Sequence, residues 1–125
     1  MFRDDWLHRE IQKLADAIAK VMDARTGPTE QQDLAIDQAY DAILGPHRDF
    51  LGMVDEATLA GLLADEERVR ALIELTALDA GRKPDPRDSE RLRARARRLL
   101  ATLRQTPESE RQRLADSLDS PQGQS

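Results

Sequence analysis

The sequence predicts an all-α fold, a compact bundle of about six helices joined by short loops. Three observations carry this reading. Leucine and alanine, seventeen of each among 125 residues, supply most of the apolar content, and both lose little on entering a helix. β-Branched residues are scarce, and no segment alternates with the period of a strand. Apolar residues recur instead with helical spacing in one segment after another.

The first helix is expected over about Asp4 to Arg25. Leu7, Ile11, Leu14, Ile18 and Val21 recur with 4-3-4-3 spacing, and Met22 adds to the seam. Asp4 and Asp5 suit its N-terminus, where the helix dipole favours negative charge, and Gly27-Pro28 ends it. The second helix is expected over about Glu30 to Leu44, with Thr29 and Gln32 forming a capping box. Its apolar face is Ile36, Ala39, Tyr40 and Ile43, and Gly45-Pro46 is its stop. Residues 47–54 are too short for more than a turn or a short helical piece. Asp55 then caps a short helix through Leu63.

Asp65 caps the next helix, with Glu66 and Glu67 in its first turn. Val69, Leu72, Ile73 and Thr76 share one side, Leu75 flanks them, and Gly81 ends the helix. Residues 82–86 read as a polar loop with two prolines. A long helix is expected from about Arg87 to Gln105, with Leu92, Ala96, Leu99 and Leu103 as its stripe. Thr106-Pro107-Glu108 restarts the chain with a cap, a proline and an acid. The last helix reaches about Leu118. The expected organisation is a single domain over residues 1–118 and a disordered tail over 119–125, which holds only Asp, Ser, Pro, Gln and Gly.

Composition excludes several functions. With no cysteine there is no disulfide, no thiolate zinc site and no cysteine nucleophile. No run approaches ~18 apolar residues, so no membrane span is expected. Asp4 and Asp5 stand where a secretion signal needs a basic region, so the expected location is cytoplasmic. Glycines are scattered singly, without a phosphate-binding loop, and no Gly-x-Ser-x-Gly occurs. The sequence therefore predicts no catalysis, no catalytic residue and no cofactor.

The net charge of −5 is unevenly spread. Residues 1–80 carry 8 basic and 17 acidic side chains, and residues 81–125 carry 11 basic and 7 acidic. This asymmetry is the strongest departure from a bland helical sequence. Glu30, Asp33, Asp37 and Asp41 fall on one sector of the second helix and raise the question of a divalent cation. A hard cation usually needs ligands converging from several elements, so a solvated or salt-bridged face is expected and no metal site. His8 and His47 have no motif around them; His8 lacks the adjacent acid and second histidine of the zinc-protease motif.

Two sets remain as a candidate interaction surface. Arg87, Arg91, Arg95 and Arg98 line one flank of the 87–104 helix; Arg93, Arg97 and Arg104 line the other. Arg91, Arg95 and Arg98 are the residues singled out, for a protein partner or, as the alternative, for phosphates of a nucleic acid. The acidic pI of about 5.0 and the lack of aromatics in the basic region count against nucleic acid. Phe2 and Trp6 are the second set: Trp6 lies roughly 110° from the centre of the first helix's stripe, off the core face. Residues 1–25 carry five basic and five acidic side chains, so an anionic membrane surface gains nothing net.

The stretch Asp5-Trp6-Leu7-His8-Arg9-Glu10-Ile11-Gln12-Lys13-Leu14 resembles the opening of a family of small all-helical bacterial proteins known only as a domain of unknown function. Ala35-Ile36-Asp37-Gln38-Ala39-Tyr40, Ile43-Leu44-Gly45, Leu51, Met53-Val54-Asp55, Leu59 and Leu62-Leu63 extend the resemblance over most of residues 4–80. It implies an all-helical fold with a tetratricopeptide-like C-terminal part, and it implies no activity, cofactor or catalytic residue. The arginine-rich 87–104 helix departs from that family's pattern. The functional expectation is a helical interaction or scaffold module, acting on an unknown protein partner or by self-association, with the acidic and basic halves pairing between copies or within one chain.

Overall fold

The computed structural model describes the backbone of residues 2–119 and the side chains of residues 8–119. The described chain is all-helical: α1 (Phe2–Ala24), α2 (Thr29–Leu44), a 3-10 helix (Gly45–Phe50), α3 (Glu56–Leu63), α4 (Glu66–Arg82), α5 (Pro86–Leu100) and α6 (Glu108–Asp119). The tail expected beyond Leu118 lies outside the described residues, except that α6 runs one residue further, through Asp119.

Three helix starts follow their caps. The Thr58 amide donates to the Asp55 carboxylate at 2.7 Å, and the Glu67 amide to Asp65 at 2.9 Å. The Arg87 amide donates to Asp85 at 2.9 Å, with Pro86 as the first helical residue, where its missing N–H costs nothing. Three boundaries differ from the expectation. Thr29 and Gln32 form no capping box. Pro28 holds the cap position, and Thr29 is already helical, so its hydroxyl cannot cap. Gln32 instead donates back to the Gly27 and Arg25 carbonyls, at 2.7 and 3.2 Å, and satisfies groups that the end of α1 leaves open.

Gly45-Pro46 ends α2 at Leu44, as expected. Gly45 takes φ = 55°, a left-handed value that glycine adopts without steric cost, and the chain continues as a tighter 3-10 turn. α5, expected through Gln105, ends at Leu100. There the Thr102 hydroxyl donates to the Leu99 carbonyl at 2.6 Å, and the Arg104 and Gln105 amides turn away to the Glu66 carboxylate, at 2.9 and 3.1 Å. Thr106 does not act as a cap; its hydroxyl donates to Glu66 at 2.6 Å.

α4 is the axis of the bundle. It packs against α1, α2, α3, α5 and α6, so it is buried well beyond the one side its sequence suggests. Leu72, Ile73, Leu75 and Thr76 are all at most 1% exposed. A helix surrounded in this way must be apolar nearly all round, and the one hydroxyl in this stretch, Thr76, is satisfied by the Leu72 carbonyl at 2.6 Å. α1 and α2 lie on one side of α4 and are locked to it by Arg68. That side chain donates to the Ile43 carbonyl at 2.9 Å and to Glu10 at 2.8 Å. α5 closes α4 from another side, carrying Ala96 and Leu99 into the core at 0% exposure.

Candidate interaction surface

Three of the four acidic charges of α2 are answered within the chain. Arg82 pairs with Asp33 at 2.5 Å, and Arg48 pairs with Asp37 at 2.7 Å and Asp41 at 3.0 Å. Arg48 also lies over the Tyr40 ring, 5.1 Å from its centroid. Three of the four carboxylates of the row, Asp33, Asp37 and Asp41, are thus occupied by guanidinium groups. Among the described residues no group of three or more His, Asp or Glu could hold a metal ion. Beneath this row the buried Tyr40 hydroxyl donates to Asp79 at 2.9 Å, and Asp79 in turn faces Arg82 at 3.2 Å and Lys83 at 3.6 Å. Burial, then the Asp79 charge, pushes the Tyr40 phenol well above its ordinary value. His8 is exposed; His47 stacks loosely on Phe50 with ring centroids 6.2 Å apart.

α5 presents its arginines unevenly. Arg98 donates to Glu56 at 2.8 Å, which holds that carboxylate below its usual range. Arg97 reaches Glu90 at 3.0 Å and Asp119 at 3.6 Å, and Arg91 makes only a long contact to Asp88, 3.6 Å, with its side chain 73% exposed. Arg87 and Arg95 form no ion pair among the described residues. Arg95 is half-buried and lies against Gly52: a Cβ built on that glycine would sit 3.8 Å from the guanidinium. The three arginines singled out from the sequence therefore have three different surroundings, and Arg98 is the one already engaged.

The segment beside Arg95 carries what sequence reasoning missed. After the 3-10 helix the Met53 amide donates to the Phe50 carbonyl at 2.9 Å, closing a tight turn in which Gly52 takes φ = 84°. Leu51 and Val54 pack on the core. Phe50 and Met53 point the other way, 41% and 77% exposed. An apolar knob thus stands next to Arg95, which forms no ion pair among the described residues and lies some forty residues further along the chain. The only signal in the sequence was Gly52 between two apolar pairs, which marks a turn but not which members face out.

A second surface lies on α1. Leu14 and Val21 enter the core, while Ile11 and Met22 remain 36% and 47% exposed. With the exposed Ala15 and the half-buried Ile18 they wall a groove of about 340 Å³ against α4, whose charged residues there are Glu67, Arg70 and Glu74; Glu110 of α6 closes it. Phe2 and Trp6 belong to the first turns of this helix, but their side chains lie outside the described residues. A wider groove, about 690 Å³, runs between α3 and the ends of α4 and α5, with the Glu56–Arg98 pair at its rim.

No helix among the described residues is long and apolar enough to cross a membrane. Compared with protein-family models, with curated proteins and with solved structures, the chain matches none.

Proposed function

We propose that this chain is a cytoplasmic, non-catalytic helical module that binds a protein partner through the corner where Phe50 and Met53 flank Gly52 and Arg95 lies against that glycine, with Arg91 and Arg87 one and two turns further along α5. One observation carries the reading: the exposed apolar side chains of Phe50 and Met53 flank a glycine against which Arg95 lies, a cation that forms no ion pair among the described residues. Exposed apolar anchors with flanking arginine are the make-up of binding hot spots. Asp33, Asp37, Asp41 and Glu56 are engaged by Arg82, Arg48 and Arg98.

Phe50 beside Arg95 also favours the alternative reading, nucleic acid, because it supplies the aromatic platform that α5 lacks. The electrostatics weigh against it. Affinity for a polyanion grows with the number of phosphates neutralised. Here Arg98 is held by Glu56 and Arg97 by Glu90, and a body of 8 basic and 17 acidic residues over 1–80 opposes the approach of phosphate. A protein partner needs only the apolar knob and a few carboxylates.

The test places a photoreactive residue at Met53 and, as a control, at Lys20 on the polar side of α1, in cells. Protein cross-links from position 53 and none from position 20 are expected. No cross-link from either position overturns the reading. Salt-sensitive retention of the purified chain on RNA or DNA, lost in Arg91→Glu/Arg95→Glu, would establish the alternative in its place.

A further inference from the structure

The knob and the groove complement each other. The groove is walled by Ile11, Ile18 and Met22 on one side and bordered by Glu67, Glu74 and Glu110 on the other, with Arg70 as the one cation among its lining residues. The Glu67, Glu74 and Glu110 side chains are 41%, 36% and 31% exposed and are paired with Arg70 or Arg113, so a second set of cations reaches them by sharing or displacing those two guanidinium groups. The knob offers the converse: Phe50 and Met53 as apolar anchors, with Arg95 against the Gly52 between them and Arg91 one turn away along α5. Apolar matches apolar, and an acidic rim matches a basic one.

The two surfaces cannot meet within one molecule. α1 packs on α2 and α4, whereas α5 packs on α3, α4 and α6, so α4 stands between the groove on α1 and the arginine flank of α5. We infer that the occupant of the α1–α4 groove is the Phe50–Met53 corner of a second copy of this chain. This rests on the reading above, that the corner is a protein-binding surface, and names its partner. The contact is heterologous, knob of one copy to groove of the next. It closes as a reciprocal pair if the geometry allows both contacts at once, and otherwise extends as a chain of copies. It draws on complementarity of charge for its specificity.

In the bound state Arg91 and Arg95 trade solvent, and the long Asp88 contact, for the rim carboxylates. Glu74 and Glu110 share Arg113 in the free chain, and Glu67 is paired with Arg70. The association is therefore an exchange of ion pairs around an apolar centre, and salt should weaken it.

The experiment is light scattering with sedimentation of the full 14.1 kDa chain over a concentration series, at low and high salt. A concentration-dependent oligomer that dissociates in salt is expected. Two variants then separate the surfaces: a knob variant, Met53→Asp/Arg91→Glu, and a groove variant, Ile11→Glu/Met22→Glu. Each alone should be monomeric, with association roughly a hundredfold weaker than in the parent chain. Mixed in equal amounts they should form a one-to-one dimer, because the groove variant keeps its knob and the knob variant keeps its groove. That rescue also shows that both variants are folded. A parent chain that stays monomeric at every concentration, an oligomer that survives either variant, or a mixture that remains monomeric overturns the inference. If the parent is monomeric while position 53 cross-links a different protein, self-association fails and the interaction reading stands. If position 53 cross-links nothing, both fail.

Discussion

Glu66 and Thr106 meet across forty residues of sequence: the threonine hydroxyl donates to the carboxylate at 2.6 Å, while the Arg104 and Gln105 amides donate to the same group. One side chain in the first turn of α4 thereby ties down the whole connection between α5 and α6. The hydroxyl of Thr106, then the backbone amides, pull the Glu66 pKa down from its ordinary 4.5 to about 2. A lowered folded-state pKa means stability that is fully present above the unfolded value and is lost as the pH falls through the folded one. The contribution should therefore fade between about pH 4.5 and pH 2. Because the carboxylate is close to solvent, its full shift is not available as stability. Glu66→Ala should lower the unfolding free energy at pH 7 by about 1–2 kcal/mol. In urea titrations the gap between variant and parent should close on acidification; a gap independent of pH would remove the carboxylate from this role.

Tyr40 is the only tyrosine in the chain, so its ionisation can be followed directly by phenolate absorbance. Its folded pKa is raised, by burial and then by Asp79. The neutral phenol is thus favoured in the folded state, and its share of stability holds below the unfolded value of about 10 and is lost as the pH climbs through the folded one. The folded chain should show phenolate absorbance only well above pH 10, and the urea-unfolded chain near it. Tyr40→Phe keeps the ring under Arg48 but removes a buried hydrogen bond to a charged group, so a loss of about 1–3 kcal/mol is expected at pH 7. An ordinary titration in the folded chain would contradict the buried Tyr40–Asp79 pair.

The acidic row of α2 should behave as a surface network. Asp37→Asn/Asp41→Asn removes both partners of Arg48, whose pairs are well exposed on the acidic side. The expected cost is below about 1 kcal/mol and falls further in high salt. Magnesium, calcium, manganese or zinc should leave the melting temperature of the parent chain where it is. A clear metal-dependent rise would mean that these carboxylates release Arg48 and Arg82 to take a cation.

Most of the helices were legible because their signals are local. Asp55, Asp65 and Asp85-Pro86 are recognisable as helix starts from a few residues each, and spacing picks out Ala96 and Leu99 as core positions of α5, though Leu92 of the same stripe is only half-buried and Ser89, outside it, is buried. The misread points are those where a distant group decides. Thr106 looks like a cap until Glu66, forty residues earlier, claims its hydroxyl. α5 looks longer than it is because nothing near Leu100 announces that the next amides will turn to another helix. Ile11 and Leu14 are equivalent members of one stripe in sequence, yet only Leu14 is covered, because coverage depends on where α4 lies. Of the candidate site, the arginines were legible as a helical flank. Their pairing was not, since Glu56 and Gly52 reach them through tertiary packing. Phe50 and Met53 were not legible at all, because a short apolar stretch does not reveal which members face out until its turn is known.

Gly52 sets that direction, and its replacement separates the turn from the fold. At φ = 84° an L-residue is strained, while the space around its Cβ is ordinary, with the Arg95 guanidinium 3.8 Å away. The penalty of Gly52→Ala therefore comes from the backbone rather than from a clash, and about 1 kcal/mol or somewhat more is expected in urea unfolding. The chain can relieve that strain by letting the turn leave its left-handed conformation. The bond from the Met53 amide to Phe50 would open first, and the knob would lose its fixed position. Amide exchange at Met53 and Val54 should rise while protection of the α4 core is unchanged. Association should weaken by more than the stability loss alone explains, since Met53 itself is still present. Gly52→Asn, which tolerates positive φ better than alanine, should recover part of both effects. If Gly52→Ala leaves exchange at Met53 unaltered, the turn is held by Leu51 and Val54 in the core and not by the glycine.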